Sequence, residues 1–238
     1  METKRWLMSL AIAFMGTHLF QNIAAADRRS YVWTYEYLTI PAGEGEIEYY
    51  YTQQTGSLNN FTDTTILKHW VEIEHGITDH WDIALYQTFA QKPESSLIYE
   101  GFKIRTRYRF SESGILPVNP LLYFEYIRNF PEKEDEFEGK LILGKNIKRF
   151  NISANIVGEF KIEDGKVETE PEAILAVSFE PGPNFKLGTE YEISEKKAYL
   201  GPTVSFASGE RWTTMGVRWG LTENSRDLDF RLLIGIGL

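Results

Sequence analysis

Lys103, Arg105, Arg107 and Arg109 occupy four successive alternate positions. On a β-strand all four would project from one face, about 7 Å apart. A row of like charges at that spacing persists only if water solvates it or carboxylates neutralise it. Carboxylates recur at the same alternation elsewhere: Glu46 and Glu48, Glu72 and Glu74, Glu125, Glu170 and Glu172, Glu180, Glu190 and Glu192, and Asp229. Lys68, Lys186, Arg218 and Arg231 share those faces. A basic wall set against acidic ones sorts charged solutes by electrostatics and makes or breaks no bonds.

Bond-making chemistry finds little support. There is no cysteine, which excludes thiol catalysis, disulfides and thiolate-bound metals. His75 and His80 with Asp79 and Asp82 have loose ligand chemistry but no known metal spacing. His69 falls on the apolar face of its segment, the position from which a barrel phospholipase reaches lipid. A hairpin turn centred near Thr78 puts Gln87 opposite His69, and no serine stands near enough to be a nucleophile. A His–Gln polar pair is the expectation. Gly76, Gly139 and Gly144 form no phosphate cradle. No catalytic, metal or cofactor site is assigned.

The elements that position the charged rows must be strands. No helical periodicity is present, and alternating segments broken by turn residues run through the chain. The last residues are the clearest case: Leu228, Phe230, Leu232, Ile234, Ile236 and Leu238 form one apolar face. Asp229, Arg231, Leu233, Gly235 and Gly237 form the other. Twelve segments are expected, at 45–53, 65–75, 81–90, 98–110, 120–130, 138–147, 150–161, 170–180, 184–193, 197–207, 211–220 and 227–238. An even number suits a single-chain transmembrane barrel, whose strands need about 9–11 residues. The fold class read here is an all-β transmembrane antiparallel barrel of about 12 strands over 45–238, after a cleaved leader. Parity puts Trp81, Ile83, Leu85, Ile104, Phe124, Ile156, Leu175 and Leu187 toward lipid. The charged rows then line the lumen, too charged for a dry core.

Connections at one end should be short turns, and at the other long charged loops. The second set is 54–64, 91–97, 131–137, 162–169, 194–196 and 221–226. Two lengths break the pattern: 111–119 is long for a turn, and 194–196 is short for a loop. Ahead of the barrel, residues 27–44 contain an alternating stretch at 31–38. It either tucks into the lumen as a plug or adds an extra strand beside the first. Residues 1–26 read as a secretory leader. Lys4 and Arg5 precede an apolar stretch, and Ala24, Ala25 and Ala26 form the cleavage site, so the mature chain begins at Asp27. The net charge of −9 and the absence of a basic aromatic patch exclude nucleic acid as a partner.

The final strand resembles the closing strand of Gram-negative outer-membrane barrels, with Leu238 where those usually carry an aromatic residue. The stretch from Val71 to Leu85, and Tyr31 to Tyr37 with Pro41, Gly43 and Glu46 to Glu48, resemble uncharacterised porin- or transporter-like barrel families. The resemblance implies an outer-membrane location and partners in outer-membrane lipids and the barrel-insertion machinery. It carries over no site residue. Basic lumens also resemble those of small porins for acidic sugars. The functional expectation is a passive channel or substrate-specific porin for small hydrophilic solutes, with anions favoured along the basic wall. A sealed structural barrel and a lipid-modifying enzyme are the alternatives.

Overall fold

The structure, a computed structural model, describes residues 29–112, 114–163 and 166–238. The expected leader and its cleavage point lie outside the described residues. Twelve strands follow one another in chain order: β1 (Gly45–Thr55), β2 (Thr65–Thr78), β3 (Trp81–Gln91), β4 (Ile98–Arg109), β5 (Asn119–Asn129) and β6 (Glu134–Ile147). The second half comprises β7 (Phe150–Glu163), β8 (Lys166–Gly182), β9 (Phe185–Ser194), β10 (Ala198–Ser208), β11 (Arg211–Gly220) and β12 (Leu228–Gly237). Every strand pairs antiparallel with its neighbours, and β12 returns to β1. Closure removes the unpaired edges that an open sheet would present to lipid.

Alternation decides the faces. Along β3, Trp81, Ile83 and Leu85 are exposed while Asp82, Ala84 and Tyr86 are buried. Ile104, Phe124, Ile156, Leu175 and Leu187 are likewise exposed, so the barrel wears an apolar belt and turns its charges inward. In water such a belt would be untenable; in a bilayer it is the required surface. Leu175→Arg, on the belt, is expected to cost about 2–4 kcal/mol of folding stability. Glu172→Arg, on the lumen face of the same strand, is expected to cost much less. Urea unfolding in lipid vesicles checks the pair; equal losses would mean the faces are misassigned.

Connections at one end are short, at 79–80, 148–149, 183–184 and 209–210. We call this the turn end. Its exception is the stretch between Arg109 and Asn119, which is tied down: Glu112 pairs with Arg109 and His80 at 3.0 Å each, and Ser111 bonds the Tyr37 hydroxyl. At the loop end, two hairpins differ from expectation. The regions 131–137 and 162–169 are largely strand, because β6 starts at Glu134, β7 reaches Glu163 and β8 starts at Lys166. Charge reads as loop in a sequence, yet here it ties strands together. Asp135 accepts from Arg128 at 2.7 Å and from Tyr126 at 2.6 Å, and Lys161 faces Glu168 across the β7–β8 ladder. The β2–β3 hairpin also differs in register. Its turn lies at 79–80, not near Thr78, and with a one-residue irregularity between Gly76 and Thr78 this sets His69 opposite Phe89 and Gln87 opposite Val71.

Residues 31–40 form no strand. They lie folded inside the barrel, with Tyr31, Val32, Trp33, Thr34 and Ile40 buried. The chain meets the wall at the turn end, where Gly43 N–H donates to the Gly76 carbonyl at 2.9 Å. Two inward glycines make room for it. A Cβ on Gly144 would lie 2.6 Å from the Tyr37 Cβ, and one on Gly216 would lie 2.6 Å from Val32 Cγ2. Val32 and Trp33 join Tyr50, Ala84, Tyr86, Trp212 and Leu233 in one apolar cluster; Tyr37 joins Leu121, Tyr123 and Ile142 in another. These clusters sit between the segment and the wall.

Candidate functional site in the lumen

The basic row of β4 points into the lumen, and each member meets a carboxylate from β2, β3, β5 or the β4–β5 connection. Arg105, 1% exposed, places Nη2 2.6 Å from Glu74 and 3.1 Å from Glu72. Its Nε and Nη1 have no hydrogen-bond partner; the guanidinium stands about 6 Å from the ring centres of Tyr35, Tyr86 and Tyr123. Rings at that range offer a buried cation their negative faces. Arg107 forks onto Asp82, with Nε and Nη2 at 3.0 and 2.7 Å, and reaches Glu74 at 2.8 Å. Lys103 pairs with Glu125 at 2.9 Å, which also accepts from the Tyr123 hydroxyl at 2.8 Å. Arg109 pairs with Glu112 at the turn-end rim.

Of the two ways to stabilise the row, the structure uses neutralisation. The pairing follows from register: Asp82 faces Arg107 across β3–β4, and Glu125 faces Arg105 across β4–β5. From the sequence Asp82 and Glu125 are acidic neighbours able to neutralise the row, but which base each one takes is set by the fold. Glu125 goes to Lys103, because Glu72 and Glu74 reach Arg105 from β2, two strands away.

The segment is wired into this lattice. Arg29 Nη1 donates to the Tyr50 hydroxyl at 2.8 Å, and Tyr50 donates to Glu72 at 2.7 Å. Glu190 of β9 gathers the turn at 32–34. Its carboxylate accepts from the N–H groups of Val32, Trp33 and Thr34 at 2.9, 2.9 and 2.6 Å, and from the Thr34 hydroxyl at 2.6 Å. Arg218 pairs with Glu192 and Asp229 while its guanidinium lies 4.5 Å over the Trp33 ring. Arg231 donates to the Val32 carbonyl at 3.0 Å. None of the contacts made by residues 29–40 was readable in the sequence. Their only advance sign is the placing of Gly144 and Gly216 at inward positions where a strand would carry side chains.

Toward the loop end the lumen wall is rich in acidic residues. Glu125, Glu138, Glu159 and Glu170 face one another in consecutive strand pairs. Like charges directly opposite repel, and lysines offset them. Lys140 pairs with Glu138 at 3.0 Å, Lys161 with Glu159 at 3.3 Å, and Lys197 with Glu170 at 3.5 Å. Glu172 lies on the same side of the lumen and is half-buried. Two carboxylate groups, Glu48–Glu72–Glu74 and Glu136–Glu138–Glu159, bring oxygens within 4.8 Å. Both already hold arginine or lysine partners. His80 instead pairs with Glu112, and Asp82 with Arg107. On the lipid face His69 Nδ1 bonds the Tyr49 hydroxyl at 2.6 Å, so the polar partner is a tyrosine.

No family model matches the sequence, and no curated protein matches it. Solved structures match the fold. The COG4313 outer membrane channel from Pseudomonas putida F1 superposes with TM-score 0.64 at 9% identity, over 87% of this chain and 100% of that one. The KdgM porin in complex with disordered oligogalacturonate gives 0.60 at 13% identity, over 80% of this chain and 98% of that one. The NanC porin gives 0.57 at 9% identity, over 81% and 100%. What is shared at these identities is the fold. Together with the apolar belt it makes this chain an outer-membrane β-barrel of porin-like architecture.

Proposed function

We propose that the barrel is a passive channel for small hydrophilic solutes, narrowed at its middle by residues 29–40 acting as an internal plug. The loop end faces outward and the turn end faces the periplasm, following the usual asymmetry of such barrels. One observation carries the reading. Inward charged side chains keep access to solvent at both ends of the lumen, while a single chain segment fills the middle. A barrel built only as a scaffold could close its lumen by side chains from the wall. Here the wall instead gives up side-chain volume, at Gly144 and Gly216, to admit the segment.

The basic row is not the selectivity element in this reading, since its guanidiniums are buried and paired. Charge selection falls to the two mouths. The fold neighbours support the reading by their architecture; the KdgM structure's oligogalacturonate belongs to that porin. The test is direct. Purified protein in planar bilayers should conduct, and liposomes carrying it should swell in small sugars. Barrels shown to be folded that neither conduct nor admit solute would sink the channel and leave the sealed barrel.

A further inference from the structure

We propose that the turn-end mouth of the lumen is a binding site for a small organic polyanion, a solute bearing two or more carboxylates. A recess of about 570 Å³ opens there, between the internal segment and the wall from β5 to β9. That is within the usual size of small-molecule sites, roughly 300–1,000 Å³. Arg109, Lys148, Arg149 and Lys186 bring four cations to it, against two carboxylates, Glu36 and Glu180; Lys145 lines it from β6 with outward parity, opposite Ile152.

Glu36 keeps its charge but is turned toward its own segment. Both Glu36 oxygens are occupied, accepting from Ser30 N–H at 2.6 Å and Ser30 Oγ at 2.8 Å. Lys186 spends one proton on Ser30 Oγ at 2.8 Å and keeps two donors. Arg149 spends one on the Pro181 carbonyl at 3.2 Å. Among the described residues, Lys148 has no carboxylate within ion-pair distance. Arg109 is the one cation here with an acidic partner, and its buried Nε still has no hydrogen-bond partner. The recess thus gathers several cations whose neighbours leave them donors to spare. Elsewhere in this lumen, cations of β4 are matched by wall carboxylates. Tyr37 and Leu38 supply apolar surface for a carbon skeleton. Because Glu36, Tyr37 and Leu38 belong to the internal segment, the site exists only while that segment is seated.

The inference deepens the channel reading by naming a solute class, and its test does not depend on conduction. Citrate, a tricarboxylate, is titrated calorimetrically into detergent-purified, full-length barrel at low ionic strength. One site should appear, weakening as salt rises. Lys148→Gln combined with Lys186→Gln should lower the affinity about tenfold or more. Lys92→Gln, an exposed lysine at the loop end, should not change it. Inorganic phosphate, too small to span the recess, should bind about tenfold more weakly than citrate. Absence of citrate binding, or equal affinity in the double variant, overturns the site. Equal affinity for phosphate overturns the polycarboxylate assignment. Binding without conductance would overturn the channel and keep the site; conductance without binding would do the reverse.

Discussion

Deleting residues 29–40 is expected to raise the single-channel conductance several-fold while leaving a folded barrel. The barrel's ladder is continuous without the segment, from β1 round to β12 and back. What the deletion removes is the filling of the middle of the lumen. Water then reaches Tyr50, Glu72 and Glu190, which the segment now covers, and solvates groups that would otherwise be stranded. The apolar cluster around Leu233 and Trp212 loses Val32 and Trp33. Some stability is lost, but the wall hydrogen bonds are not.

A gentler variant separates plug release from damage. Glu190→Gln keeps the size of the side chain but replaces a carboxylate that accepts four hydrogen bonds from residues 32–34. A carboxamide brings an NH₂ toward N–H groups, so at least one contact becomes donor against donor. Losing one partner of a buried, charged hydrogen-bond set costs about 2–5 kcal/mol. That cost falls on the seated segment and not on the barrel. Conductance should therefore flicker between the wild-type level and the level of the deletion. If the deletion variant is folded and conducts no more than wild type, the segment does not restrict the pore.

The barrel was legible because a closed transmembrane sheet obeys one strong rule. Lipid on one side and a polar lumen on the other force a period of two over the whole wall. Hence β11 spans Arg211–Gly220 at the expected limits, and β12 differs by one residue at each end. Boundaries failed where the rule lapses, in the hairpins beyond the bilayer. There charged residues such as Glu134 and Lys166 pair as strands without any apolar face to reveal it. Lumen contacts were less legible. Alternation shows that Lys103, Arg105, Arg107 and Arg109 face inward, but partners come from other strands through register. A shift of the kind between Gly76 and Thr78 is invisible in composition. Residues 31–38 alternate like a strand, yet their backbone bends to follow the lumen wall. Lys148 and Arg149 read as an ordinary turn; only the fold brings them to the same recess as Lys186.

Replacing Arg105 and Arg107 together with serine is expected to destabilise the barrel strongly and to leave selectivity alone. Removing one side of a buried ion pair costs about 3–5 kcal/mol, because the partner stays buried and charged. Here Glu72, Glu74 and Asp82, all 3% exposed or less, lose both guanidiniums at once. They can respond by taking up protons or by letting water in past the segment, which stacks Tyr35 over the same lattice. Either response weakens the seat of the plug. The matched variant adds Glu74→Gln and Asp82→Asn, removing acid along with base. It should recover most of the lost stability, since the fault is the unpaired charge and not the missing volume. Urea unfolding in vesicles measures both. The reversal potential in a salt gradient supplies the contrary outcome. If the arginine pair lined an open anion path, the serine variant would fold as well as wild type and shift toward cation selectivity. A stable variant with that shift would show that the row is wet, and that neutralisation by Glu74 and Asp82 is not what holds it.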